Sequence, residues 1–349
     1  MIVVTVVLSV GFSLLGLPSA VLFGSLVGGM AHALTSPTAI KVPAGAFRLG
    51  QALIGATIGT LVSLEALKEI GSELAAIVAI TSGTVVISLV AGRLLALRQD
   101  VSRVTGAFAL IAGGASGVVA VARDLGADDR VVTVVQYLRV LVVLISLPLV
   151  TAVVFQPDSG LGTIERGDSS LAGDLTYVVL SVGIGLLIAR YTPITTATLL
   201  APMLVGAVLA ATGRLGEVAV PDPVQWLAYG LIGVQVGLRF TRASLAAITR
   251  MLPAVTAIIV TMIALTGLMG ALLAKLTPVD GLTAYLATTP GGLFAVLATA
   301  ADSGSDVTYV ISVQLFRLIV ILMIIPLLAR WLRGSDGPAR SGDRDARFE

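Results

Sequence analysis

Apolar residues along this chain come in long runs, not in the alternating or one-faced patterns of soluble domains. Twelve runs stand out, at 1–16, 18–35, 46–63, 71–96, 104–123, 131–154, 174–191, 194–213, 224–240, 249–274, 282–300 and 308–332. Each is long enough to form a membrane helix or much of one. All twenty carboxylates fall between the runs or at their ends, whereas two basic residues, Arg139 and Arg317, fall inside. Residues 155–173 are the one sizeable polar linker. The tail 334–349 has no apolar periodicity and is expected to be disordered. The first run starts without Lys or Arg and has a partner in the second half, so it reads as a helix and not as a signal peptide. It is shorter than that partner, and the start is expected to lie a few residues inside the natural helix.

Composition sharpens this picture. The chain is 56% hydrophobic and 12% charged, with a mean hydropathy of +1.02. A soluble domain carries about 25% charged residues, so the expected class is an all-α polytopic membrane protein. A net charge of +2 without a basic patch gives no nucleic-acid footprint. Cysteine is absent and His32 is the single histidine. A metal or redox enzyme would need thiolates or imidazoles; the expectation is therefore no cofactor, no metal and no enzymatic activity.

The chain repeats itself at an offset of 178 residues. Val42-Pro43 falls on Val220-Pro221, Gly59 on Gly237, Gly92 on Gly270, and Gly113-Gly114 on Gly291-Gly292. Asp124, Gly126 and Asp128 fall on Asp302, Gly304 and Asp306; Gln136, Arg139 and Pro148 fall on Gln314, Arg317 and Pro326. Across 113–149 against 291–327, 16 of 37 ungapped positions are identical. Composition alone would match Leu and Val, but not Asp, Gln, Arg and Pro in register. The expected organisation is a membrane repeat at 1–154, the linker, and a second repeat at 174–333 followed by a cytoplasmic tail. Such duplications build secondary transporters, whose sites lie at the repeat interface near the midplane.

Charge in the loops bears on topology. With all twelve runs crossing and the N-terminus inside, 13 Lys/Arg lie inside and 7 outside. If 104–123 and 282–300 dip in and return, the split becomes 16 to 4, and 239–250 and the tail face the cytoplasm. The middles of these two runs read AGGASG and TTPGG, and Gly pairs and Pro suit a break. Ten crossings plus two re-entrant segments, in inverted halves, is the favoured arrangement. Broken but fully crossing helices are the rival.

Counting residues puts each break and each arginine at one depth. Gly114 lies ten residues before Asp124, and Arg139 eleven after Asp128; at about 1.5 Å per residue both are ~15 Å deep. The second half repeats this with Gly292 and Arg317. A guanidinium there costs at least about 2.5–3.5 kcal/mol. Either the arginines bind an anionic group beside helix ends, or they hold carbonyls freed at the break. Candidate substrate-binding residues are Gly113, Gly114, Gln136, Arg139, Thr289, Pro290, Gly291, Gly292, Gln314 and Arg317, with Asp124 and Asp302 as candidate ion-coupling residues. Asp128 and Asp306 directly precede apolar runs and read as N-caps. The glycines of 50–59 and 230–237 read as helix-packing faces.

The stretch TAYLATTPGGLFAVLATAADSGSDVTYVISVQLFRLIVILMIIPLLARWL at 283–332, with its weaker copy at 105–153, resembles the duplicated AbrB-type integral membrane protein family. The family pattern is a PGG segment, a G-x-D step, then a helix with a polar residue three before an arginine and a later proline. The chain departs from it with Gln136 and Gln314 where members often carry histidine, and with AGG at 112–114. The resemblance implies a multi-pass inner-membrane protein; the family has carried the labels ammonia monooxygenase and regulator, and it is distinct from the soluble DNA-binding regulator of that name. Taken together, the expectation is a secondary transporter or exporter of a small organic solute, anionic in one reading. A membrane regulatory or scaffold protein is the alternative. The partners are the solute and the lipid bilayer, with no nucleic acid and a homodimer left open.

Overall fold

The computed structural model describes residues 1–36, 40–62, 71, 73–98, 101–111, 122–123, 125–155, 170–192, 196–240, 242, 246, 249 and 251–335. The described chain is helical throughout. In order the helices are α1 (Ile2–Leu14), α2 (Ala20–Thr35), α3 (Ala44–Leu61), α4 (Leu74–Leu95), α5 (Arg103–Leu110), α6 (Asp129–Val150), α7 (Leu171–Tyr191), α8 (Ala197–Ala211), α9 (Asp222–Gly237), α10 (Leu252–Leu276), α11 (Gly281–Thr288), α12 (Leu293–Asp302) and α13 (Val307–Ser335). A single π-helical turn, Thr151–Phe155, extends α6 just beyond Pro148. Five stretches among the described residues are long and apolar enough to cross a membrane: α4, Arg130–Phe155, α7, α10 and Val307–Ile325. Val86 and Val90 on α4, Val179 and Leu187 on α7, and Leu268 on α10 stay exposed, as side chains facing lipid tails do. The fold is that of an all-α polytopic membrane protein.

The 178-residue offset reappears in the helix starts. Ala44, Leu74, Arg103 and Asp129 open α3, α4, α5 and α6; Asp222, Leu252, Gly281 and Val307 open α9, α10, α11 and α13. The capping chemistry is repeated too. Ser102 Oγ accepts the Thr105 N–H at 3.1 Å at the start of α5, and Asp280 accepts the Leu282 and Thr283 N–H groups at the start of α11. Asp128 accepts from Arg130 and Val131, and Asp306 from Tyr309, so both act as the N-caps their position suggests.

Two short helices decide how the broken runs travel. The Asp128 N–H donates to Thr105 Oγ1 at 3.0 Å, and the Asp306 N–H to Thr283 Oγ1 at 3.0 Å. Thr105 and Thr283 sit in the first turns of α5 and α11, whereas Asp128 and Asp306 precede α6 and α13. A continuous twenty-residue helix would hold its ends about 30 Å apart. Each of these segments instead comes back to where it started. The run at 282–300 is α11, a break at 289–292, and α12; it is a helical hairpin. The middle of its counterpart, 112–121, lies outside the described residues, as do the linker at 156–169 and the tail from 336.

The halves are interleaved. α3 packs along α8, and α9 along α2, so each pair joins the first half to the second. Glycine makes this possible. A Cβ on Gly59 would stand 2.7 Å from Met203 O, and one on Gly55, Gly233 or Gly237 would collide with Leu199 O, Leu22 O or Leu26 O. The small-residue stripes are helix contacts. The same device seats the first short helix, since a Cβ on Gly92 of α4 would reach within 2.7 Å of Gly106 O in α5.

This packing makes a direct prediction. Gly233→Leu should lower the thermal unfolding midpoint in detergent by the equivalent of about 1–3 kcal/mol of overpacking. Gly230→Ala, whose Cβ would meet only Ser25 Oγ at 3.8 Å, should leave it unchanged.

Candidate functional site

A helix that stops inside the bilayer leaves up to four carbonyls without partners, and hydrocarbon offers them no water. α5 and α11 both stop this way. The Gln136 amide donates to Phe108 O at 3.0 Å, and the Gln314 amide to Leu286 O at 3.0 Å and Thr289 O at 3.2 Å. Arg139 Nη1 donates to Leu110 O at 3.0 Å; Arg317 Nη1 donates to Thr288 O at 3.4 Å and Thr289 O at 3.0 Å. The partners obey the repeat: 108 pairs with 286, and 110 with 288. Both arginines are 6% exposed. The helix C-terminus carries partial negative charge, so each guanidinium meets a complementary pole.

The two arginines are not equally occupied. Arg317 uses Nη1 on two carbonyls, and its Nη2 donates to Gln314 Oε1. Among the described residues Arg139 makes one hydrogen bond, and its buried Nε has no partner there. Every hydrogen-bond partner of either guanidinium is neutral, and no carboxylate among the described residues pairs with them. They lie near enough for their like charges to act on each other. Two buried positive charges, one with an unpaired donor, are the kind of arrangement that an anion would complement.

The tip of the α11–α12 hairpin completes it. A Cβ on Gly291 would overlap Val143 Cγ1 (2.5 Å), and one on Gly292 would touch Val140 Cγ1 at 3.5 Å. Val140 adjoins Arg139, so the second-half tip rests on the first-half arginine helix. Gly292 caps α12 without a side chain; the Ala295 N–H donates to Gly292 O at 3.1 Å, so the N–H groups this first turn can offer are those of Leu293 and Phe294. Thr289 turns its hydroxyl back to Tyr285 O at 2.7 Å and offers its own carbonyl to Arg317 and Gln314. Pro290 lies buried at the break. Of the residues singled out from sequence, Gln136, Arg139, Thr289, Pro290, Gly291, Gly292, Gln314 and Arg317 therefore gather around the two helix ends. Gly113, Gly114 and Asp124 lie outside the described residues.

Asp302 stands apart, at the far end of α12. Its Oδ2 accepts the Ser19 hydroxyl at 2.7 Å; its Oδ1 accepts Tyr229 OH at 3.0 Å and the Gln225 amide at 3.3 Å. At the opposite end of α3 and α9, Arg239 donates to Tyr137 OH at 3.0 Å and lies 4.9 Å from the Tyr137 ring and 6.0 Å from that of Phe47. Phe47 in turn meets Phe294, in the first turn of α12, edge to face at 6.4 Å. Sequence reasoning used Arg239 only as a topology marker and passed over Ser19, Gln225 and Tyr229. The signal available was asymmetry: the repeat counterparts of Ser19, Gln225 and Tyr229 are Ala197, Phe47 and Gln51.

Comparison with known proteins agrees with this architecture. The family model described as "Transition state regulatory protein AbrB" matches residues 1–333. The chain is similar to "Putative regulator AbrB" of Escherichia coli (strain K12), 32% identical over 344 residues that cover 97% of each chain. It is also similar to "Uncharacterized protein YhjN" of Bacillus subtilis (strain 168), 24% identical over 303 residues, covering 83% of this chain and 79% of the other. The duplicated hairpin-and-arginine units thus belong to a chain that is a member of the AbrB family of membrane-type proteins.

Proposed function

We propose that this chain is a secondary transporter of a small organic anion, a carboxylate by preference, in the bacterial inner membrane. The observation that carries the reading is the pair of neighbouring buried guanidiniums without a described carboxylate partner, one of them holding an unused Nε donor. A planar guanidinium matches a carboxylate bidentately. Chemistry is not part of the proposal; the site holds donors, but no nucleophile–base pair.

In this reading the two halves are inverted. Each hairpin adds no crossing, so each half crosses five times and the second begins on the opposite side. Support comes from the two ends of the bundle. Thr308 donates to Leu61 O at 3.3 Å and Ser19 meets Asp302 at one end, while Arg242 donates to Leu34 O and Arg239 meets Phe47 at the other. The charge count makes the Arg239 end cytoplasmic. Broken helices facing each other at mid-depth serve alternating access, and a scaffold gains nothing from them.

A second reading is favoured by the word "regulator" in the name of the Escherichia coli relative: a membrane protein that acts on partners and moves no solute. Counterflow of labelled small carboxylic acids in proteoliposomes separates the two. The transporter reading expects saturable exchange of at least one; none, from folded protein across a broad panel, would favour the second.

Unequal occupation of the arginines yields a sharper expectation. Arg317→Lys should lower the unfolding midpoint, because an ammonium gathers its donors on one atom and cannot span acceptors that Arg317 reaches from both Nη1 and Nη2, and each buried acceptor left unpaired costs about 1–3 kcal/mol. Arg139→Lys keeps one donor for Leu110 O but loses the fork. Its midpoint should stay near wild type while exchange falls at least tenfold. Wild-type exchange in Arg139→Lys would remove Arg139 from the site.

A further inference from the structure

Asp302 is a partly buried carboxylate at the mouth of the hairpin, beyond the last apolar turn of α12. Three neutral side chains hold it, and the Ser19 backbone N–H adds a fourth donor. Ser19 belongs to the α1–α2 connection in the first half, and Gln225 and Tyr229 lie one turn apart on α9 in the second. The carboxylate therefore ties the return arm of the hairpin to two other elements at once. Among the described residues no cation joins the cluster: Tyr229 is the titratable group that faces Asp302, and α3, α6, α11 and α13, which also pack on α12, contribute no described charged group to its surroundings.

Two further features single the cluster out. Ser19 has φ +53°, and among the described residues it is the one non-glycine with positive φ. That conformation is costly for a residue with a Cβ, and here it brings the Ser19 hydroxyl onto Asp302. The cluster is also not duplicated. At the repeat-related positions Ala197 and Phe47 have no hydrogen-bonding side chain, and Gln51 is bonded by Thr198 at 2.6 Å. Among the described residues this is the one such carboxylate site, although the buried arginine and the short helix it serves are present twice.

We propose that Asp302 is a proton-binding site and that its protonation state governs how firmly the α11–α12 hairpin is held to the α1–α2 turn and α9. As a carboxylate, Asp302 accepts charge-assisted hydrogen bonds, roughly twice as strong as neutral ones. Addition of one proton to Oδ2 leaves a neutral acid; the Ser19 bond loses its charge assistance, and the tie across the halves weakens. An open depression of 390 Å³, lined by Asp280, Gly281, Ser303, Gly304 and Ser305, begins at the residue that follows Asp302 in the chain. Burial raises the carboxyl to about 6, against the opposing effect of the Ser19 and Tyr229 hydrogen bonds. As a coupling device for solute movement the site rests on the transporter reading; as a proton site it does not.

The test needs no solute. Infrared difference spectra of the reconstituted full chain, taken as pH is lowered from 8 to 4.5, should contain a carboxylic-acid C=O band that grows in around pH 6. Asp302→Asn should delete that band. Ser19→Ala removes a donor that favours the carboxylate, so it should move the band's midpoint to higher pH, which keeps the test open if the Asn variant misfolds. Retention of the band in Asp302→Asn, or an unmoved midpoint in Ser19→Ala, would overturn the proposal. So would a carboxylate change driven by sodium at fixed pH and lost in Asp302→Asn, since the occupant would then be a metal ion. Failure here leaves the Arg139 site untouched, and failure of carboxylate exchange leaves this band untouched.

Discussion

Everything in this molecule answers to the backbone carbonyls exposed where a helix ends inside hydrocarbon. Water cannot reach them, and the chain breaks a helix at that depth in each half. The answer is a glutamine and an arginine one turn apart on the following long helix. Gln136 and Arg139 serve α5, and Gln314 and Arg317 serve α11. Remove the donors and the breaks become untenable; straighten the breaks and the buried charges lose their partners. Each half of the arrangement requires the other.

Duplication supplied two copies of that unit, and divergence made them unequal. Arg317 donates to two carbonyls of its own hairpin and to Gln314, whereas Arg139 has a buried Nε without a partner where the second hairpin tip, through Gly291 and Gly292, leans on its helix. The two ends differ as well. One holds Asp302 among hydroxyls and an amide; the other holds Arg239 between Tyr137 and Phe47. The interleaving of α3 with α8 and α9 with α2 means that neither half can move without carrying helices of the other. In the proposed cycle, a hairpin held at Asp302 is the element free to change.

Much of this was legible before any coordinates. The 178-residue register foretold that the halves would share their helix pattern, and the starts at Ala44, Leu74, Arg103 and Asp129 do fall on Asp222, Leu252, Gly281 and Val307, within a few residues of where the apolar runs begin. The glycine stripes and the capping roles of Asp128 and Asp306 followed from spacing alone. Both readings of the arginines were on the table, and the carbonyl contacts are present without removing the anion reading, since Arg139 keeps a donor to spare. What periodicity could not reveal was contact between non-equivalent positions. Ser19, Gln225 and Tyr229 meet at Asp302 only through the packing of α9 on α2, and their repeat partners carry no matching chemistry. A repeat search finds what is shared; this site lies in what is not.

The central claim, two re-entrant hairpins entering from opposite faces, can be tested on this cysteine-free chain by introducing single cysteines at Ser102, Arg123, Pro278 and Ser305 and labelling intact cells with a membrane-impermeant maleimide before and after permeabilisation. Ser102 and Arg123 flank the first hairpin, and Pro278 and Ser305 the second. The account predicts that Ser102 and Arg123 label only after permeabilisation and that Pro278 and Ser305 label from outside. Labelling of the two members of either pair from different sides, or of all four from one side, would contradict it.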